Sequence, residues 1–432
     1  MSASWMRTRP AALGVAAGVV LLVVGALLGR PDVAVLGAAP LVAGAWDLRR
    51  RPAGDLAVTI SRPTLAANRE AGSLRAAVQV SAPHGAVAAL VGVRRAGRDA
   101  AEVLVRVDGR RELPLVVHTV RTGPQEVATV EVQGVGPGAA SVSWPTEPVD
   151  RTALVLPLPV PLRDLPLPPR LHGLTGPHES RRPGEGGGLR DVHPFAPGDR
   201  LRRIDWRVTA RRAPDLRELY VRREHAQAEA NVLLVVDSRD DVGPDPWTWR
   251  GAEGPRPQDP TSLDLARQAA ASLAQGYLAL GDRVGLDDLG VRRRPLPPGG
   301  GRRQLDRIRH ALALTRPAGD PRSRLRPPQI PSGALVVLFS TFLDDEASHV
   351  ATQWRRAGHR VLAVDVLPSL RVRHLDLKER LALRFVMIAR EDRLAALADH
   401  DVELVVWRDD PAVALARMSR RGRRRPGAGV PA

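Results

Sequence analysis

An uncharged apolar segment near the N-terminus constrains this chain most strongly. Residues 11–29 contain no charged side chain, and a segment of this length matches the hydrocarbon core of a bilayer. A signal peptide is the alternative, since Arg7 and Arg9 would supply its basic start. A second apolar segment follows at once, which favours a membrane helix.

The second apolar segment runs from Val33 to Trp46. It is short for a membrane span and contains Pro40. Trp46 suits a membrane interface, and three arginines follow at 49–51, as is typical of the cytoplasmic end of a span. The sequence therefore predicts a second helix and a transmembrane hairpin.

The charges around the two segments set the expected orientation. Arginines lie before the first segment and after the second, whereas Arg30 and Asp32 cancel each other in the turn. The positive-inside rule then places both outer ends, and the soluble body with them, in the cytoplasm. One helix, cleaved or uncleaved, with the body outside is the alternative. We expect residues 1–51 to form the anchor, with helices at about 11–29 and 33–48.

Residues 52–165 change to short segments in which apolar and polar residues alternate. LAVTI, VAALVGV and EVATVEVQGVG are examples, with glycine and proline between them. This pattern predicts an antiparallel β-sandwich of the immunoglobulin-like kind. It contains no paired carboxylates or histidine cluster, so we interpret it as a structural or interaction module. The proline-rich connector that follows favours extended chain along a surface.

Composition excludes several kinds of chemistry. The net charge of +17 comes almost wholly from arginine, because the one lysine is Lys378. Without a lysine beside a glycine loop there is no GxxxxGK[ST] phosphate loop, and a Schiff-base lysine is not expected. The absence of cysteine excludes disulfides, thiolate metal sites and cysteine nucleophiles. Surplus arginine fits nucleic acid, an acidic partner or anionic lipid, but a GC-rich genome also produces it.

Residues 166–229 combine the connector with a dense mixture of arginine and aspartate. The glycines at 184–188 are followed by FAPGDRLRRIDWRVTAR at 195–211. The Pro-Gly-Asp step is typical of a turn. Carboxylates and guanidiniums at this spacing predict a charged brace between the connector and the next domain. Its predicted members are Asp199, Asp205, Arg203, Arg207 and Arg211.

Two other interpretations of this region stay open. A hydrolase would use Asp and His side chains between Gly173 and Arg223, such as His178, but a glycine run without the strand and helix that normally flank it is weak support. The arginines with Trp206 and Tyr220 would form a nucleic-acid face. Aromatic residues make up 3% of the chain, and acidic residues interrupt the arginines. We therefore expect no nucleic-acid binding.

The same stretch resembles the DUF58 family of proteins of unknown function. The family pattern R-x-Y-x-P-G-D-x-x-R-x-I-D-W-x-x-T-A-R aligns with residues 193–211, where His193 and Phe195 replace its arginine and tyrosine. The resemblance implies a membrane hairpin, a β-domain and a von Willebrand factor A-like domain, in that order. The motif residues of interest are Gly198, Asp199, Arg202, Arg203, Asp205, Trp206, Arg207, Thr209 and Arg211.

From residue 230 to 419, strand-like and helix-like segments alternate. The strands are nearly continuous apolar runs, beginning with ANVLLVV, which predicts a doubly wound α/β domain with a parallel sheet buried on both faces. Ligands bind at the carboxyl ends of such strands, so Asp237, Ser340 and Thr341 mark the expected site. A basic, disordered tail that could contact anionic lipid is expected at 420–432.

The resemblance also implies where a metal ion would bind. A-like domains often hold Mg²⁺ through D-x-S-x-S after the first strand, a later threonine and a later aspartate, and such oxygen ligands suit a hard divalent ion. Here residues 237–241 read DSRDD. Because Arg239 replaces the first serine, we expect it to repel a cation and pair with Asp237. No cofactor is expected, and weak Mg²⁺ binding through Asp237, Asp241 and Asp344 is the alternative.

These features predict a membrane-anchored, non-enzymatic adaptor or scaffold whose A-like domain binds protein partners. The resemblance implies one partner, a MoxR-type AAA+ ATPase, because proteins similar to this one are typically encoded beside such ATPases and are thought to assemble or remodel other proteins with them. The residues alone do not identify that ATPase. A hydrolase and a basic nucleic-acid or anionic-lipid binder are the alternatives.

Overall fold

A computed structural model describes residues 5–65, 72–96, 98–173, 176–215, 217–251, 254–290, 294–317 and 328–424, which form mixed sheets and helices. The chain divides into two compact units. The first comprises Met1–Val120 and Pro124–Val155, and the second comprises Arg121–Gly123 and Leu156–Ala432.

Two helices lie near the start of the first unit, α1 (Arg9–Leu27) and α2 (Pro31–Arg49). Each lies within two residues of its predicted bounds. Among the described residues, α1 is the one helix long and apolar enough to cross a membrane. α2 has the same length, contains Pro40 and is less apolar.

Glycines allow α1 and α2 to pack closely as an antiparallel pair. A Cβ on Gly25 would lie 2.4 Å from the backbone nitrogen of Ala34, and one on Gly37 would lie 2.6 Å from the carbonyl oxygen of Gly18. A larger residue at these positions would force the helices apart. Small residues at the crossing are typical of helix pairs in membranes.

The strands of the first unit form two sheets. One has the order β1-β9-β8-β5-β6 with β10 beside β8, and the other has the order β2-β4-β3 with β7 beside β4. Their bounds are β1 (Trp5–Arg7), β2 (Ala57–Ile60), β3 (Thr64–Leu65), β4 (Ser73–Ser81), β5 (Ala88–Arg95), β6 (Arg98–Arg106), β7 (Arg110–His118), β8 (Gly123–Val135), β9 (Ser141–Ser143) and β10 (Val149–Val155).

A shared apolar core holds these two sheets together. Alternate side chains such as Val58 and Val80 of one sheet, and Val91 and Val130 of the other, are buried in the same cluster. The predicted alternation of buried and exposed residues is therefore confirmed. Three strands were not predicted: β1 and β3, which at three and two residues are too short to show a period, and β10, which lies at the start of the proline-rich stretch.

The second unit contains a two-stranded ribbon, a six-stranded sheet and six helices among its described residues. The elements are β11 (His178–Pro194), α3 (Trp206–Arg212), β12 (Tyr220–Ala228), β13 (Asn231–Val236), α4 (Ser262–Ala279), β14 (Arg283–Asp288), β15 (Leu296–Gly299), α5 (Gly301–Ala313), β16 (Leu335–Ser340), α6 (Glu346–Arg356), β17 (Arg360–Asp365), α7 (Leu377–Asp399), β18 (Glu403–Val406) and α8 (Pro411–Arg424).

The six-stranded sheet has the order β15-β14-β13-β16-β17-β18. All neighbouring strands are parallel except β15, which is antiparallel to β14. Leu234 packs in a core with residues of α4, α5 and α8, whereas Val235 faces a second core with residues of α6 and α7. The predicted parallel sheet with helices on both faces is therefore present.

The proline-rich connector lies along the helices of the second unit. Leu165 is buried in their core, and the hydroxyl of Tyr277 in α4 donates to the carbonyl of Pro166 at 2.6 Å. Burial raises the pKa of Tyr277 far above its usual value. The amide of Val160 donates to Ser272 Oγ at 2.9 Å. These contacts fix the connector against α4.

Several second-unit elements differ from the sequence prediction. The glycine-rich stretch, predicted to be part of a connector, is strand β11, which pairs with β12 through several register shifts. Glycine and arginine weaken the usual strand pattern. Edge strand β15 was also not predicted, because its two prolines are unusual in a strand. α8 continues to Arg424, past position 420 where a disordered tail was expected, and residues 425–432 lie outside the described ranges.

Candidate functional site

The candidate site lies at the carboxyl edge of the six-stranded sheet. Because β13, β14, β16, β17 and β18 are parallel, their ends share the edge at which open α/β sheets bind ligands. Four polar residues lie at strand ends here: Asp237, Asp288, Ser340 and Asp365. Their partners determine what the edge can bind.

The guanidinium of Arg239 joins two carboxylates at this edge. Its Nε and one terminal nitrogen donate to the two oxygens of Asp237, both at 2.8 Å. The two terminal nitrogens also donate to Asp344, at 2.7 and 2.9 Å. One planar cation thus binds four carboxylate oxygens, as the fork geometry of arginine permits. The expected pairing of Arg239 with Asp237 is present.

Burial makes this pairing costly to disrupt. The side chains of Asp237 and Arg239 are 3% and 7% exposed, whereas that of Asp344 is 46% exposed. Burial alone would lower the pKa of Arg239, but the hydrogen bonds and charges of Asp237 and Asp344 raise it well above its usual value. Arg239 is therefore a permanent cation at this edge.

The turn after β16 brings Asp344 to Arg239. Ser340 Oγ donates to Asp237 at 2.8 Å and accepts from the amide of Phe342 at 3.1 Å. Phe342 has a φ of 54°, which is rare for an aromatic residue. Its side chain is fully buried in the core beside α6. Core packing thus holds the turn in the conformation that supplies the second carboxylate.

A second guanidinium lies at the same edge. Arg390 of α7 forms an ion pair with Asp365, and both side chains are almost fully buried. Its Nε donates to the carbonyl of Thr341 at 2.7 Å. Asp365 also accepts from the amide of Leu367 at 2.9 Å. This pair fixes α7 to the ends of β16 and β17.

Asp241 has different partners from Asp237 and Asp344. Its carboxylate accepts from the amide of Leu263 at 3.4 Å and lies 3.4 Å from Arg121.

The neighbouring Asp240 interacts electrostatically with the carboxylates of Asp237 and Asp344. Burial, and then the charges of Asp237 and Asp344, raise its pKa, although Arg239 opposes the shift.

The donor set does not suit a divalent cation in this arrangement. Mg²⁺ requires free oxygen ligands, whereas Arg239 binds all four carboxylate oxygens of Asp237 and Asp344. Across the described ranges, no group of three or more His, Asp or Glu residues has the spacing to hold a metal ion. A metal would require the guanidinium to leave.

Three residues of the family motif connect α3 to β12. Asp205 caps α3 by accepting from the amide three residues later at 3.1 Å. Thr209 is fully buried, and its hydroxyl accepts from the amide of Tyr220 at 2.9 Å. Asp199 closes the turn at Gly198, whose φ is 99°, by accepting from the amide three residues earlier at 2.9 Å.

The ion pairs of these carboxylates differ from those expected. Asp199 lies 3.9 Å from Arg223, and Asp205 lies 4.0 Å from Arg222, both arginines coming from β12. Partly exposed pairs at such distances contribute little stability. The connection thus depends mainly on capping and backbone hydrogen bonds, and Arg207 and Arg211, the helical arginines predicted as partners, are exposed.

The remaining motif side chains form an exposed surface. Trp206 is 62% exposed at the start of α3. Arg203 is half-buried and donates to the carbonyl of Gly184 at 3.4 Å. The exposed arginines of the motif are Arg202, Arg207 and Arg211.

Sequence reasoning did not identify Asp365 and Arg390. Asp365 ends an apolar strand just as Asp237 follows one, so the same signal would have found it. Arg390 lies in a helix rich in other arginines, and its burial depends on how α7 packs.

A sequence model of the family described as "Protein of unknown function DUF58" matches residues 191–372. This DUF58 domain contains the whole motif at 193–211 together with Asp237, Arg239 and Asp344, and it ends before α7. No curated protein matches the chain.

Replacing Arg239 tests whether its guanidinium takes the place of a cation. We expect Arg239→Ser to lower the free energy of unfolding by about 3 kcal/mol, because the buried carboxylate of Asp237 loses its counter-ion. Mg²⁺ or Mn²⁺ should restore part of the loss in a thermal melt, and should not stabilise the native protein. Arg222→Ser, at a largely exposed pair, is the control and should have little effect. An equally small effect of Arg239→Ser would contradict the interpretation.

The raised pKa of Asp240 predicts a pH-dependent effect. In the folded protein the ionised carboxylate of Asp240 is unfavourable, so its pKa is higher than in the unfolded chain. Protonated Asp240 therefore contributes stability that is fully present below the ordinary pKa of 3.8. This contribution is lost as the pH rises through the pKa of Asp240 in the folded protein. Asp240→Asn should therefore be more stable than the native protein at pH 7, with a difference that shrinks towards pH 4.

The pH control is Asp345, whose pKa the hydrogen bond and charge of Arg393 lower. Asp345→Asn should instead lose stability at pH 7, and this loss should disappear as pH falls. Thermal melts across the pH range measure both differences. If Asp240→Asn were no more stable than the native protein at pH 7, ionisation of Asp240 would not destabilise the folded protein and the interpretation would be wrong.

Proposed function

We propose that this protein is a membrane-anchored, non-enzymatic adaptor or scaffold whose DUF58-containing α/β domain binds protein partners. The observation that carries the proposal is the buried pairing of Arg239 with Asp237 and Asp344. This pairing occupies the carboxylates at the ligand edge of the sheet and fixes the half-exposed side chain of Asp344 at its surface. Such a surface suits docking of a protein, because the carboxylates are already bound by a cation of the chain itself.

The sheet topology supports the von Willebrand factor A-like assignment. Counted from β13, its strand order is 3-2-1-4-5-6, with a short antiparallel strand at one edge. Asp237 lies directly after the first strand, where A-like domains place their first metal ligand. In the first unit, two packed sheets support an immunoglobulin-like β-sandwich.

The two N-terminal helices support a membrane anchor. α1 is long and apolar enough to span, and close packing through Gly25 and Gly37 would let α2 cross beside it. We propose that the pair forms a transmembrane hairpin. From the arginines at its two outer ends we also propose, by the positive-inside rule, that the body lies in the cytoplasm.

The carboxylates and histidine of the alternative hydrolase have structural partners. His178 Nε2 lies 2.9 Å from Asp282, which is fully buried and also accepts from the amide of Ala230 at 2.8 Å. Asp199 and Asp205 serve a turn and a helix cap. These roles favour bracing over catalysis.

The proposed partner is a MoxR-type AAA+ ATPase, and the motif surface at α3 is its proposed docking site. Asp205 and Thr209 have folding roles, whereas Trp206 and its neighbouring arginines face solvent. Exposed tryptophan and arginine are the residue types that dominate binding at protein interfaces. The motif thus combines residues that stabilise the local fold with side chains that are exposed at its surface.

Capture of a MoxR-type ATPase tests the proposal. Full-length protein in detergent should retain a purified MoxR-type ATPase and alter its ATP hydrolysis while hydrolysing none itself. Trp206→Ala should weaken capture by about tenfold or more, as expected for an interface hot spot. Trp247→Ala, which changes another exposed tryptophan, is the control and should bind normally. Capture unaffected by Trp206→Ala would remove α3 as the docking site, and absence of any capture would overturn the partner.

A further inference from the structure

The first half of α7 presents apolar side chains to solvent. Leu377 and Phe385 are 66% and 73% exposed, and Leu381 and Ile388 are about half exposed. The opposite side of the helix, including Leu397, packs into the core of its own domain. A contiguous exposed apolar stripe of this kind marks an interaction surface.

The spacing of the stripe is that of a coiled-coil seam. Leu381, Phe385 and Ile388 of the stripe follow one another at intervals of four and three, the heptad spacing that keeps one face of a helix against a partner helix. Leu383, Arg390 and Leu397 are spaced by seven on the other face, and there Arg390 and Leu397 are buried. The seam continues at the same spacing through Lys378 on one side and through Asp392 and Ala395 on the other, and Leu377 lies beside it.

Charges on the stripe select an antiparallel arrangement with a second copy. In a parallel pair Lys378 would face Lys378 and Asp392 would face Asp392, and like charges repel. In an antiparallel pair the basic first half of one helix lies against the acidic second half of the other. Arg384 and Glu391 are exposed and lie seven residues apart, at equivalent positions beside the seam. In the antiparallel pair, Arg384 of each copy would face Glu391 of the other copy, so the two-fold symmetry gives two such pairs per dimer.

We propose that two copies of this chain associate through antiparallel α7 helices. Phe385 of one copy packs against Ile388 of the other, and two Arg384–Glu391 pairs flank this apolar centre. The interface lies outside residues 191–372, the range of the DUF58 domain. It is also independent of the docking surface proposed at α3.

A charge exchange tests the pairing directly. Sedimentation velocity of the full-length protein in detergent should show a concentration-dependent dimer. Arg384→Glu and Glu391→Arg should each raise the dimer dissociation constant by about tenfold, since each creates two like-charge contacts per dimer. The double variant should return the constant close to its native value, because opposite charges face each other again.

Apolar controls separate this interface from others. Phe385→Glu should abolish the dimer, whereas Val413→Glu, at an exposed apolar position in α8, should not, and circular dichroism should show both variants folded. A native protein that stays monomeric at all concentrations would overturn the proposal. So would a double charge variant that remains as weak as the single ones. If Phe385→Glu altered ATPase capture and left the oligomeric state unchanged, the stripe would belong to a different protein partner.

Discussion

The buried guanidinium of Arg239 sets the character of the sheet edge. It binds Asp237 and Asp344 together, while Arg390 does the same for Asp365 and the turn after β16. The buried carboxylates of Asp237 and Asp365 would carry a large desolvation cost without their arginines. The geometry of Asp237 and Asp344 is consequently fixed by a group of the protein itself, and a cation that binds both carboxylates would have to displace Arg239.

The same constraint connects parts of the second unit that are distant in sequence. Asp237 follows β13, Asp344 follows β16, and Arg390 comes from α7. The positive φ of Phe342 and its burial hold the turn that brings them together. α7 is therefore fixed by its buried side, which leaves its apolar first half exposed and positioned for a second copy of the chain.

The sequence predicted the elements whose physical signal is local. Residues 11–29 had to be apolar helix, and the run ending before Asp237 had to be a buried strand. The replacement of serine by Arg239 also predicted an ion pair with Asp237. By contrast, the role of Asp344 depends on the conformation of the turn after β16, which spacing does not reveal. Strand β11 was missed because its glycines and arginines lack period-two alternation.

Direct measurement of Mn²⁺ binding by the native full-length protein tests the central claim most directly. In an electron paramagnetic resonance titration, the six-line signal of free hydrated Mn²⁺ should rise in proportion to added metal, because Arg239 already satisfies both carboxylates. A stoichiometric loss of free signal that disappears in Asp237→Asn would show that the edge is a metal site after all.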